Sequence, residues 1–326
     1  MAVMTYRDAL NQALAEELER DPDVFLMGEE VGVYNGAYKV SKGLLDRFGE
    51  TRVVDTPITE LGFAGLGVGA AMTGLRPIIE FMTWNFSMLA MDQVFNSAAK
   101  MLNMTGGQFN IPITFRGPNG AALQLAQQHS QALEATYAHF PGIKIVAPGT
   151  PADAKGLLKA AIRDNDPVCV FEGEMLYNLK GEVPEDDDFV IPLGVADLKK
   201  EGKDVSIITH GKMIHVALQA AEQLEKDGVN AEVLDLRSLR PLDTDAILAT
   251  VAKTNRVVLL EEGWPYGGIT ATVAALIQEE AFDHLDAPVL RVTQADVPMP
   301  YAKHLERAVK PSAQLVVEKV NRVLYR

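Results

Sequence analysis

Three places in this 326-residue chain combine residue types and spacing that could do chemistry. The first is Glu60, in the run Asp55-Thr56-Pro57-Ile58-Thr59-Glu60-Leu61-Gly62. Pro57 fixes its own φ and pushes Thr56 into extended geometry, so the turn is stiff and the carboxylate after it has a defined direction. Such an acid can give or take a proton; the same stretch also fits an acidic first helical turn favoured by the helix dipole. The second place is Glu29-Glu30, just beyond a predicted strand from Val24 to Met27. Open α/β sheets bind ligands at that carboxyl end, although a solvated acidic turn has the same pattern. The third is His129, flanked by Gln127, Gln128, Ser130 and Gln131 after the loop Gly117-Pro118-Asn119-Gly120. It does not lie on an apolar face, which suits either a general acid/base or a loop or cap histidine.

Other chemistries find little support. His210 and His215 lack the i, i+4 relation of a helical zinc pair, and the single cysteine, Cys169, sits in the apolar run Val168-Cys169-Val170-Phe171 as a core thiol. Gly65-Leu66-Gly67-Val68-Gly69-Ala70 satisfies the loose dinucleotide pattern, so a free-standing NAD-dependent dehydrogenase is the remote alternative. That fingerprint should begin directly after its strand and have an acid about 20 residues on, and neither condition is met. With 44 acids against 30 bases the net charge is −14, and no basic cluster offers a footprint for nucleic acid. No apolar run is long enough to cross a bilayer. Met1 to Arg20 carries acids among its bases and reads as neither signal nor transit peptide. The expectation is a cytoplasmic protein, or one of an organelle matrix or stroma if a presequence has been removed.

The elements that must position these residues alternate. Thr5 caps a predicted helix with apolar face Leu10, Ala13, Leu14 and Leu18, ended by Asp21-Pro22. Strands are predicted at Val24 to Met27, Arg52 to Asp55, Pro77 to Phe81, Ile111 to Arg116, Lys144 to Ala147 and Val168 to Glu172. Between them lie a helix from Glu60 to Met72, whose glycines imply close packing at roughly 1 kcal/mol each, an amphipathic helix from Met88 to Leu102, and a helix capped by Thr150 with Pro151 at its first position. After the acidic stretch Glu182-Val183-Pro184-Glu185-Asp186-Asp187-Asp188 the alternation restarts, with strands at Val205 to Thr209, Glu232 to Leu236 and Arg256 to Glu261. The expected fold is α/β, with two doubly wound domains at 1–180 and 193–326 joined by an acidic linker at 181–192.

Asp55 through Phe81, Phe86-Ser87-Met88, Phe115-Arg116-Gly117-Pro118-Asn119-Gly120 and Gln128-His129-Ser130-Gln131 resemble the beta subunits of thiamin-diphosphate-dependent 2-oxo acid dehydrogenases. The resemblance runs through nearly the whole chain. The Arg-Gly-Pro-Asn-Gly and Gln-His-Ser-Gln pieces are most similar to members acting on pyruvate. It implies a thiamin pyrimidine-binding-type domain followed by a transketolase C-terminal-like domain, the latter resembled by Asp235 to Asp243. Glu60 would hydrogen-bond the aminopyrimidine ring nitrogen and promote formation of the thiazolium ylid, for which burial and a raised pKa are expected. Glu29 would join a proton relay between active sites, and Met82 and Phe86 would flank the aminopyrimidine, although either fits a core position equally. His129 would act on the substrate intermediate as general acid/base. Backbone oxygens at Ile113, Ala161, Ile162, Asp164 and Asp166 would hold potassium.

The family holds magnesium and the diphosphate with a Gly-Asp-Gly motif that this chain lacks. A separate alpha subunit would therefore carry both, in an α2β2 heterotetramer docked on a dihydrolipoyl acetyltransferase core. The activity implied is oxidative decarboxylation of pyruvate with reductive acetylation of lipoamide. Two alternatives share these residues: the beta subunit of a branched-chain 2-oxo acid or acetoin dehydrogenase, and a non-catalytic assembly subunit.

Overall fold

The computed structural model describes residues 1–326, which form two compact units. The first comprises residues 1–119 and 137–193, the second residues 120–136 and 194–326.

In the first unit the strands lie in the order Lys144–Val146, Val168–Gly173, Thr114–Asn119, Arg76–Glu80, Val24–Gly28 and Val53–Asp55, every neighbouring pair parallel. Central strands such as Val168–Gly173 are buried throughout, as a sheet covered on both faces requires. Tyr6–Arg20 and Pro151–Arg163 pack together over one face, around Leu10, Leu14, Leu26, Ile78, Leu157 and Val170. Both begin with the threonine caps expected: Thr5 accepts from Asp8 N–H and Thr150 from Asp153 N–H, each at 3.1 Å.

The helix Glu60–Met72 packs on the strand Arg76–Glu80. Its close approach belongs to Gly67, where a Cβ would come within 2.6 Å of Ile79 Cδ1. Gly62 and Gly69 lie instead on the outward face. The single helix expected from Met88 to Leu102 is a chain of three conformations: a 3₁₀ segment Trp84–Ala90, a π-helical segment Gln93–Ala98 and an α-helix Ala99–Met104. The wider π turn buries the adjacent Val94 and Phe95 and lays Phe95 flat on Phe140, with ring centroids 3.8 Å apart.

Residues 181–192, expected as a linker, pack within the first unit. Lys180–Val183 pairs antiparallel with Ala2–Thr5, and Ile191 sits where a Cβ on Gly156 would meet it at 2.6 Å. The acidic run between them lacks an apolar face, but Val183 and Ile191 on either side are buried and tie it down.

The second unit is built on a sheet ordered Leu290–Val292, Val257–Leu260, Val205–Thr209, Ala231–Asp235 and Asp197–Lys200, parallel except for the last strand. Met213–Lys226 and Ala313–Val323 share one core with it through Ala217, Leu224, Val233, Val258, Val316 and Val320. Thr244–Thr254 and Ile269–Glu280 pack on each other.

Candidate active site

Within the first unit the chemistry gathers at the carboxyl ends of the parallel strands. Gly28 is in register with both Asp55 and Glu80, and Glu80 with Arg116. A Cβ on Gly28 would lie 2.4 Å from the Glu80 carbonyl oxygen, so only glycine lets the chain leave the sheet here. The next residue, Glu29, turns inward and is buried, whereas Glu30 takes a left-handed φ of 60° and points to solvent. Of the two acids after this strand, one is thus set apart for the interior.

Asp55 fastens the loop that follows, accepting from Gly32 N–H at 2.6 Å and Val33 N–H at 2.9 Å. Across from it the Pro57 turn delivers Glu60 to the first turn of its helix with 4% exposure, the same as Glu29. The two carboxyls hydrogen-bond each other. Desolvation first, and then the charge and hydrogen bond of Glu60, push the Glu29 carboxyl up to about 7. Near neutrality the Glu29 carboxyl is therefore protonated part of the time. Glu29 Oε1 and the buried Thr56 Oγ1 have no protein partner. Buried polar atoms are normally hydrogen-bonded, so these two are placed to serve a polar ligand, and they fit the amino and ring nitrogens of an aminopyrimidine.

This pair has a consequence for stability. A carboxyl raised from 4.5 to about 7 binds more protons folded than unfolded between those values. Its contribution is complete below the lower value and is lost as pH rises through the upper one. Between about pH 5 and pH 8 the melting temperature of Glu29→Gln is expected to fall less than that of the parent. Parallel pH profiles of the two proteins would refute the raised Glu29 carboxyl.

Met82, two residues before the 3₁₀ segment on which the Glu60 helix packs, and Phe86, within that segment, are both half-buried. Beneath these strand ends lies a buried cluster not anticipated from the sequence. Arg116 donates from Nε to Glu172 Oε1 at 2.5 Å, from Nη2 to Glu172 Oε2, and from Nη1 to Glu80. Tyr177 donates its hydroxyl to Glu172 at 2.8 Å. The available signal was the placement of Glu80, Arg116 and Glu172 at the carboxyl ends of apolar runs, where an ionisable group must find a partner.

His129 is on a different element. It ends a short 3₁₀ turn, Gln127–His129, in the segment 120–136, which lies inside the expected domain 1–180 in sequence but packs as part of the second compact unit. It is half-buried, beside the buried Ser130.

At the expected potassium site the cation present is a side chain. Arg76 donates to Ile162 O at 2.9 and 3.1 Å and to Asp164 O at 2.6 Å. Ala161 O accepts from Asp164 N–H at 3.3 Å and Ile113 O from Val168 N–H at 3.0 Å. Asp166 makes an ion pair with Lys144 at 3.0 Å, as does Asp164 at 2.8 Å. Arg76 thus takes up the Ile162 and Asp164 backbone oxygens of the five expected to hold potassium.

Residues 2–180 match the family model described as transketolase, pyrimidine binding domain, and residues 194–316 the one described as transketolase, C-terminal domain. A solved structure described as a split gene transketolase, inactive beta4 tetramer, shares the fold with a TM-score of 0.80 at 24% identity, covering 99% of this chain and 98% of that one. The protein is thus of the transketolase-type two-domain class. Its sequence is 56% identical to pyruvate dehydrogenase E1 component subunit beta-1, mitochondrial, of Oryza sativa subsp. japonica, over 99% of this chain and 87% of that protein. It is 54% identical to pyruvate dehydrogenase E1 component subunit beta of Rhizobium meliloti (strain 1021), over 100% of this chain and 71% of that protein. The chain belongs to the family of pyruvate dehydrogenase E1 component beta subunits. No helix is long and apolar enough to cross a membrane.

Proposed function

We propose that this chain is the beta subunit of a thiamin-diphosphate-dependent component that decarboxylates pyruvate and passes the acetyl unit to a lipoyl group. The observation that carries the reading is the buried, hydrogen-bonded Glu29–Glu60 pair with its unpartnered Glu29 Oε1. When bound, thiamin diphosphate supplies the electron sink for loss of carbon dioxide. Glu60 addresses the aminopyrimidine ring nitrogen and exchanges a proton with it. Glu29 keeps that proton in reach by sharing it, since two adjacent buried carboxyls resist ionising together. Met82 and Phe86 supply the apolar flank, and His129 exchanges a proton with the keto oxygen of pyruvate.

The chain contains no Gly-Asp-Gly motif, so the diphosphate and its magnesium fall to a separate alpha subunit, with an α2β2 assembly on a dihydrolipoyl acetyltransferase core. Ile58, Leu61 and Leu66 support a protein partner: they expose 83, 50 and 67% of their surface around the glycine-rich outer face of the Glu60 helix. Calorimetric titration of thiamin diphosphate with magnesium tests the split site. The expected result is no binding to this chain alone and binding once a cognate alpha chain is co-expressed. Silence in both would remove the thiamin assignment, and tight binding by the isolated chain would remove the division of labour.

A further inference from the structure

The segment that leads to His129 is held in an unfavourable shape by charged groups with no other evident task. Gln124 and Ala126 both adopt left-handed φ, at 55° and 62°, without being glycine. Such conformations persist only where the surroundings over-determine them. Apolar burial does not do so here, because Leu123 before them and Leu125 between them are 59 and 41% exposed.

Polar anchors do. Glu262, buried after the strand Val257–Leu260, accepts from Ala121 N–H at 2.7 Å and pairs with Lys212 at 2.6 Å. Lys212 in turn donates to Ala121 O at 2.5 Å. Both backbone groups of Ala121 are thus gripped by the two members of one ion pair. The grip is close, since a Cβ on Gly120, itself at φ 79°, would fall 2.1 Å from Glu262 Oε2. Three residues on, Gln124 N–H donates to Glu306 Oε2 at 2.8 Å, and Glu306 is 2% exposed and paired with Lys310 at 2.5 Å. Gly120 N–H donates to Gln131 O at 3.1 Å and closes the base of the loop around His129. A carboxylate is the right group for these anchors, because a charged acceptor makes a stronger bond to a backbone N–H than a neutral one.

We propose that Glu262, Lys212 and Glu306 are positioning residues that set the conformation of the loop 120–131 and so place His129 for proton exchange with the substrate. The inference rests on the catalytic reading of His129.

The test uses the holoenzyme reconstituted with its alpha chain. Glu262→Ala and Glu306→Ala are expected to lower kcat about 10- to 100-fold, as misplacing a catalytic group does, while KM for pyruvate stays within about twofold. Hydrogen exchange of the amides of residues 121–126 should quicken in both, and Glu306→Gln, which keeps an acceptor for Gln124 N–H, should recover most of the rate. Glu306 lies on the short helix Lys303–Val309, not in the turn after the strand Val257–Leu260 that holds Glu262, so it serves if Glu262→Ala fails to fold. His129→Ala is assayed beside them. Full activity of His129→Ala would sink the catalytic reading and this inference with it. A dead His129→Ala beside fully active anchor variants would overturn this inference alone.

Discussion

Replacing Glu60 with Gln is expected to lower kcat of the reconstituted enzyme by about 10²- to 10⁴-fold, the range general acid–base groups contribute, while leaving the subunits assembled. Gln is nearly isosteric and can still hydrogen-bond Glu29, so the helix start and its packing persist. What it loses is the ability to exchange a proton with the aminopyrimidine ring: of the other acids buried at these strand ends, Glu80 and Glu172 are held by Arg116, and Glu29 meets the ligand from its own side. The check combines single-turnover decarboxylation of pyruvate with sedimentation of the assembled complex. Loss of turnover with intact assembly fits an acid–base role. Unchanged turnover would leave an assembly subunit as the better description, and loss of assembly would make Glu60 structural.

The second large effect falls on stability. Arg116→Met removes the only cation facing two buried carboxylates, Glu80 and Glu172. Arg116 is 1% exposed, so water cannot replace it, and burial already raises the Glu80 carboxyl despite the arginine beside it. Breaking a buried ion pair from one side costs about 3–5 kcal/mol because an uncompensated charge remains. For a unit of this size that corresponds to a fall in melting temperature of roughly 6–20 °C. Scanning calorimetry at neutral pH measures it. Adding Glu172→Gln to Arg116→Met should return part of the loss by removing a stranded charge, whereas identical melting of the single variant and the parent would mean that the cluster does not hold the strand ends together. The prediction has a functional side, since Glu80 immediately precedes Phe81-Met82 and its backbone oxygen is what makes residue 28 a glycine.

Much of this was readable from the chain alone. Alternation of buried apolar runs with capped amphipathic segments located the six parallel strands of the first unit and three of the five in the second unit's sheet, because a parallel sheet covered on both faces writes its burial into consecutive residues, whereas the short edge strands Asp197–Lys200 and Leu290–Val292 and the pair Ala2–Thr5 and Lys180–Val183 lack such runs and were not located. Thr5, Thr150 and Pro151 marked helix starts since capping is local chemistry. Glu60 was legible for the same reason: Pro57 constrains the backbone only three residues away. The three-part helix from Trp84 to Met104 was not legible, as its π turn exists to seat Phe95 against Phe140, a partner 45 residues on.

The sequence by itself determined the α/β class, the strand ends that carry Glu29 and Glu60, and the presence of a histidine outside the apolar pattern. Which of Glu29 and Glu30 is buried, and that Glu29 meets Glu60 there, came only with the folded chain. The same holds for the contact of Arg76 with the Ile162 and Asp164 oxygens, for the packing of 181–192 into the first unit, and for the anchoring of the His129 segment by Glu262, Lys212 and Glu306. The physical reason is range. Propensity, capping and periodicity act over a few residues, whereas a carboxyl's proton affinity, a cation's place and a loop's anchors depend on groups that are distant in sequence and meet only when the chain is folded.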